Sequence, residues 1–156
     1  MTRLRLSICA SLFVCLPAAA ADQPPKAEFL NSKEAIERNF PFSEAVRAGD
    51  YLFLAGQLGD KGGKLVEGGL VPEARQMLDN IKSVLVRNGS SLSEVVKCTV
   101  FLADIAEWPA FNNVYREYFR QPFPARSALA ASGLALNARV EMECIAYVPR
   151  AAAPVK

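Results

Sequence analysis

The spacing of apolar residues changes period several times along the chain, and each change marks an element. Residues 51–55, Tyr-Leu-Phe-Leu-Ala, form an apolar run directly after the turn residues Ala48, Gly49 and Asp50. With Glu44, Ala45, Val46 and Arg47 ahead of that turn, the pattern predicts a β-hairpin. Gly62 and Gly63 mark the next turn. From Pro72 the period becomes helical: Ala74, Met77, Leu78, Ile81 and Leu85 recur at three- and four-residue spacing until Asn88 and Gly89 supply a left-handed stop. Residues 96–102 are β-branched and apolar enough for a central strand. A second helix follows, with Trp108, Phe111, Asn112, Tyr115 and Tyr118 on one face, so an amide lies inside an aromatic stripe that reads as core. Pro122 and Pro124 break the chain before a strand over residues 126–131, and Asn137 and Ala138 lead into a last strand over 139–147. The order is β-rich, then α, β, α, β, β.

Several of these strands are apolar on both faces, whereas two helices cover only one side of a sheet. The simplest cover for the other side is a second copy of the chain, so the pattern predicts a homo-oligomer with open sheet faces together. On the last strand, alternation puts Val140, Met142, Cys144 and Ala146 towards the core and Glu141, Glu143, Ile145 and Tyr147 towards that open side.

The ends change the picture of where the protein works. Met1 to Arg5 is basic, Leu6 to Leu16 mostly apolar, and Ala18 to Ala21 small, which is the layout of a secretory signal peptide cut after Ala20 or Ala21. Its apolar stretch is about half the ~20 residues of a membrane-spanning helix, so no stable membrane anchor is expected after cleavage. Residues 1–21 read as signal, 22–40 as leader and first strand region, 41–149 as one domain, and 150–156 as a frayed tail. The signal removes two arginines and no acid, leaving 16 basic and 16 acidic residues. A neutral mature chain argues against a nucleic-acid partner, whose affinity rests on phosphate neutralisation. Only Cys98 and Cys144 remain in a compartment that permits disulfides, so one bridge can form; their apolar-face positions favour buried free thiols instead. There is no histidine, hence neither the usual general base nor the usual zinc ligand, and no metal site is expected.

Arg126 and Glu141, fifteen positions apart, carry the best chemical clue. Each lies in an apolar stretch, and a desolvated guanidinium without an anion would cost several kcal/mol or more, on the order of the penalty for an unpaired buried charge. The anion is either Glu141, met on the open side of the sheet, or a substrate. Asn112 either bonds nearby backbone or holds a ligand. Gly56 and Gln57 end an apolar strand; glycine admits close approach of a ligand, but it also ends strands routinely. Ser127 has no histidine to activate it.

Pro41-Phe42-Ser43, Ala55-Gly56-Gln57, Ala74-Arg75-Gln76, Leu78-Asp79-Asn80 and Val100-Phe101-Leu102 resemble the RidA (YjgF) family of enamine/imine deaminases. So do Asn112 with Val114-Tyr115, Pro124-Ala125-Arg126-Ser127 and Val140-Glu141-Met142-Glu143, the resemblance running from about Pro41 to Tyr147. It implies an α+β, chorismate-mutase-like fold with a mixed sheet of about six strands and two helices on one face. It further implies a homotrimer with clefts between subunits. By the same resemblance Arg126 clamps the carboxylate of a 2-imino or 2-enamino acid, Glu141 and Asn112 place the attacking water, and Phe42, Gly56, Gln57, Ser127 and Ala128 line the substrate. Many members have Tyr where Phe42 stands and Cys where Ala128 stands. Imines hydrolyse readily, so positioning and modest proton transfer suffice without metal or organic cofactor. The expectation is therefore a periplasmic or secreted deaminase releasing a 2-oxo acid and ammonia, with a non-catalytic carboxylate binder or a holdase-like trimer as alternatives.

Overall fold

The structure, a computed structural model, describes residues 26–149. The expected signal, residues 22–25 of the leader and the tail lie outside the described residues. In chain order the elements are β1 (Glu28–Leu30), α1 (Lys33–Glu37), β2 (Ala45–Ala48), β3 (Tyr51–Leu54), β4 (Gln57–Leu58), β5 (Asp60–Lys61), β6 (Lys64–Leu65), α2 (Leu70–Arg87), β7 (Val95–Leu102), α3 (Trp108–Tyr118), β8 (Ala125–Ala130) and β9 (Val140–Tyr147). The hairpin β2–β3, both long helices and the late strands fall where the apolar spacing puts them. Helix α1 is the unforeseen element. Five residues are too few for a helical period to show, and α1 instead depends on Ser32, whose hydroxyl accepts the Ala35 N–H at 3.1 Å.

Helix α2 stops as expected: Gly89 adopts φ +72°, and Ser90 N–H reaches back to the Leu85 carbonyl at 2.9 Å. Seven strands form one sheet in the order β1-β2-β3-β9-β7-β8, with β4 also paired to β9, while β5 and β6 make a separate ribbon. The seventh strand beyond the expected six or so is the two-residue β4. Only β7 and β8 run parallel, joined through α3; the other pairs are antiparallel. Leu52, Val100, Leu102, Val140 and Met142 point from the sheet into a core completed by Met77, Leu78, Ile81, Leu85 and Phe111 from the helices. Burying each such side chain contributes about 1.5–3 kcal/mol. In α3 the buried set is Phe111, Val114 and Tyr115, whereas Trp108 stays 43% exposed; the stripe is narrower than expected, and rotated towards Val114.

The far face of the sheet is uncovered by any described element. It presents Phe29, Tyr51, Phe53, Leu129 and Tyr147, of which Phe29 is 72% exposed, together with Glu141 and Glu143. Tyr51 packs on Tyr147 with ring centroids 5.4 Å apart.

The expectation of free thiols is overturned. Antiparallel register sets Cys98 directly opposite Cys144, with Cα atoms 4.1 Å apart, and the two sulfurs are bonded. Alternation anticipates their burial, at 1% and 2% exposure, but not the strand register that brings them together. Linking residues 46 apart in sequence removes chain entropy from the unfolded state equivalent to about 4 kcal/mol.

Candidate active site

Arg126 stands on β8 opposite Cys98 of β7, and in a parallel pair that register puts both side chains on one face, the face of the helices. Its Nη2 donates to Asn112 Oδ1 at 2.5 Å. The guanidinium carbon lies 4.4 Å from the ring centroid of Tyr115 and 5.6 Å from that of Phe111. Helix α3 thus supplies both an amide acceptor and an aromatic bed, because Asn112 and Tyr115 are three residues apart. No carboxylate pairs with Arg126 among the described residues. Burial lowers its pKa; Tyr115 opposes that shift and Arg116 adds to it, so a second positive charge faces the same space. That space is a cavity of about 260 Å³ walled by Trp108, Phe123 and Ala128 beside Arg126, Asn112 and Tyr115. Tyr115 is itself buried, and its hydroxyl has no hydrogen-bond partner among the described residues.

Glu141 stands on the other face. It sits in β9 opposite Phe101 and Leu58, half-buried, with no hydrogen bond or ion pair among the described residues. Burial raises its pKa, and the like charge of Glu143 raises it further. The expected meeting of Arg126 with Glu141 on the open side therefore does not occur within one chain. Register is the reason: Glu141 is an odd number of residues from Cys144, and Arg126 shares the face of Cys98.

The smaller candidates divide between these two places. Gly56 is more than a strand end: a Cβ there would lie 2.0 Å from Glu141 Oε1, so only glycine leaves room for this carboxylate. Gly56, Gln57 and Phe42 line a second cavity of about 630 Å³, bounded by Gln76 and Asn80 of α2. Gln57 turns its amide back onto the Ala55 and Gly56 carbonyls, each at 3.3 Å. Phe42 stacks on Phe40 with centroids 5.0 Å apart and rings 9° from parallel. Ala128 joins the Arg126 cavity, while Ser127 lines neither cavity; its Oγ accepts from Lys97 Nζ at 2.7 Å. Arg126, Asn112 and Ala128 thus form one group and Gly56, Gln57 and Phe42 another, while Glu141 lines neither cavity and meets the second group through Gly56. Sequence reasoning missed Tyr115 and Phe111 as the bed of Arg126. Their spacing about Asn112 was visible, but it is equally the spacing of core.

The chain matches the family described as Endoribonuclease L-PSP over residues 32–148. It belongs to this family, also called YjgF/RidA. Among its relatives, a 2-iminobutanoate/2-iminopropanoate deaminase of Capra hircus is 45% identical over 108 residues, covering 68% of this chain and 79% of the relative. The chloroplastic Reactive Intermediate Deaminase A of Arabidopsis thaliana is 38% identical over 123 residues, or 78% and 66% of the two chains. Among solved structures, the Rid family protein YyfA of Yersinia pestis superposes with a TM-score of 0.73 at 34% identity, covering 79% of this chain and all of the other. The fold is thus the α+β fold of the RidA family, and relatives in that family are named deaminases.

Proposed function

We propose that this protein hydrolyses 2-imino and 2-enamino acids to 2-oxo acids and ammonia. One observation carries the reading: Arg126 is half-buried and held by a neutral amide and two rings, beside an open cavity and with no acid paired to it among the described residues. A small carboxylate supplies the missing anion, gripped by the remaining N–H groups of the guanidinium fork. Water adds to the C=N carbon, with Glu141 taking its proton. Glu141 passes that proton to the nitrogen, giving the carbinolamine, then takes the hydroxyl proton and returns it to the nitrogen as the C–N bond breaks, so that the carbonyl forms and ammonia leaves; an enamino acid first tautomerises to the imine. A raised carboxyl pKa suits both halves of that exchange. Asn112, whose oxygen is committed to Arg126, serves to aim the guanidinium rather than to hold water through that atom.

Since Arg126 and Glu141 leave one subunit on opposite faces, the reading includes an assembly in which Arg126 of one protomer meets Glu141 of a neighbour. The exposed aromatic face of the sheet supports such an assembly, and its proposed form is a homotrimer. Export is part of the same reading: the Cys98–Cys144 disulfide suits an oxidising compartment such as the periplasm or the exterior, where the expected signal over residues 1–21 directs the chain. A small apolar cavity with a central guanidinium fits a small acid better than a polynucleotide.

The test is a coupled assay that generates 2-aminoacrylate and follows ammonia and pyruvate. Wild type accelerates release and Arg126→Ala returns it to the uncatalysed rate; equal rates for the two proteins remove the claim. The non-catalytic binder has one observation in its favour, a Phe42 that brings no hydroxyl to its cavity, and it is recognised by calorimetric binding of 2-oxo acids without turnover.

A further inference from the structure

Arg38, Phe40 and Phe42 form a layered stack. The Arg38 guanidinium lies 4.6 Å from the Phe40 ring centroid, and Phe40 lies nearly parallel to Phe42. Both ends of this arm are tied down. Arg38 is held towards Glu34 at 3.4 Å and packs against Gly63, where a Cβ would lie 2.5 Å from Arg38 Nη2. Beyond the stack, Glu44 accepts the Ser32 N–H and pairs with Arg87 of α2 at 3.0 Å. The rings are therefore ordered in advance, yet Phe42 remains 51% exposed.

Both rings line the 630 Å³ cavity, which also includes Gly56, the residue against which the Glu141 carboxylate rests. Leu58 and Leu136 add further apolar wall. Of the charges bordering this space, Arg38 and Glu34 face each other, as do Arg87 and Glu44, Asp60 accepts the Gly63 N–H, and Lys61 is exposed on β5; the recognition element ordered in advance is a ring face. We propose that the Phe40–Phe42 stack is the side-chain pocket of the deaminase site and selects 2-imino acids bearing an aromatic side chain over those bearing a methyl or ethyl group. This rests on the deaminase reading above. A third parallel ring extends the stack at no ordering cost to the protein, and aromatic pairing of this kind is worth roughly threefold to tenfold in affinity.

The experiment uses imines released in situ by an amino-acid oxidase from phenylalanine and from alanine. Wild type is expected to show a kcat/KM at least about fivefold higher for the phenylalanine-derived imine, and Phe42→Leu and Phe40→Leu to bring that ratio towards one. A wild type that prefers the alanine-derived imine, or a ratio unmoved in both variants, overturns the proposal. Arg126→Ala separates the two readings: loss of both activities in that variant, beside a wild type that shows no aromatic preference, sinks the pocket and leaves the deaminase. If turnover is absent altogether, calorimetry with phenylpyruvate and pyruvate reads the same preference; equal affinities overturn it, and tighter phenylpyruvate binding that Phe42→Leu abolishes upholds it. Thermal melts of the leucine variants verify folding.

Discussion

Arg126 and Glu141 are both half-buried charges without an ionic partner among the described residues, yet their own subunit treats them differently. The guanidinium is furnished: an amide accepts one N–H, a tyrosine ring lies beneath it, and a walled cavity opens beside it. The carboxylate is given only space, by the absence of a side chain at Gly56, and a like charge at Glu143. A binding group gains from rigidity before substrate arrives, because the cost of ordering is then met during folding. A group that exchanges protons gains from a poised pKa and from freedom to approach its partner. The contrast matches the roles proposed for the two residues, and under that proposal neither half is a site alone.

The hardest way to break this contrast is to separate the halves genetically. Arg126→Ala and Glu141→Gln are each expected to lower kcat/KM about a hundredfold or more, since a charge-assisted clamp and a general base are each worth at least that. Co-expressed with different tags and purified as mixed assemblies, the two inactive chains should recover activity. In a trimer with sites shared between neighbours, about a quarter of the sites in a random mixture combine an intact Arg126 with an intact Glu141. No recovery in verified mixed trimers would place both residues in one subunit's site, against the register seen here. Gly56→Ala is next in size. Its new Cβ displaces only the carboxylate, so kcat should fall roughly tenfold to a hundredfold, as for an ångström-scale misplacement, while the calorimetric Kd for pyruvate stays within about twofold. Equal losses in both would mean that the halves are not separable.

How much of this was open to reading in the sequence differs between fold and site. Helix α2 was legible because its apolar period, its early proline and Gly89 all agree, and the faces of β9 were legible because alternation from Val140 to Tyr147 is unbroken. What alternation cannot supply is register between strands distant in sequence. That one missing quantity hid the Cys98–Cys144 bond and also placed Arg126 on the wrong side of the sheet, since both follow from β7 lying between β8 and β9. Gly56 was undecidable for a related reason: its meaning depends on Glu141 lying across from it, 85 positions later in the chain. Tyr115 hid in plain view, because a ring that supports a cation and a ring that fills a core occupy the same helical spacing.

Tyr115 gives a smaller effect that sharpens the furnished half. If its ring face holds the guanidinium, Tyr115→Leu should raise KM about fivefold to tenfold with kcat nearly held, within the range of a partly desolvated cation–π contact. Tyr115→Phe keeps the face and discards a hydroxyl that bonds to none of the described residues, so its KM should stay within about twofold of wild type. A phenylalanine variant as impaired as the leucine one would show that the hydroxyl, not the ring, is what matters.

The smallest expected effect tests the poised half. To accept a proton from water Glu141 must be ionised, so kcat/KM falls as the pH drops through its pKa. Burial first and Glu143 second hold that pKa above the ordinary carboxylate value. Glu143→Gln removes the like charge, and the acid limb of the kcat/KM profile should move to lower pH. Stability carries the same sign. A carboxyl whose pKa is higher folded than unfolded binds its proton more tightly in the fold, so its contribution is present at low pH and is lost as the pH rises through the folded value. With the shift reduced in Glu143→Gln, less is lost, and the variant should melt closer to, or above, wild type at neutral pH than at acid pH. An acid limb that does not move, in a variant whose melting shows this pH dependence, would detach Glu141 from the proton transfer while leaving Arg126 its carboxylate.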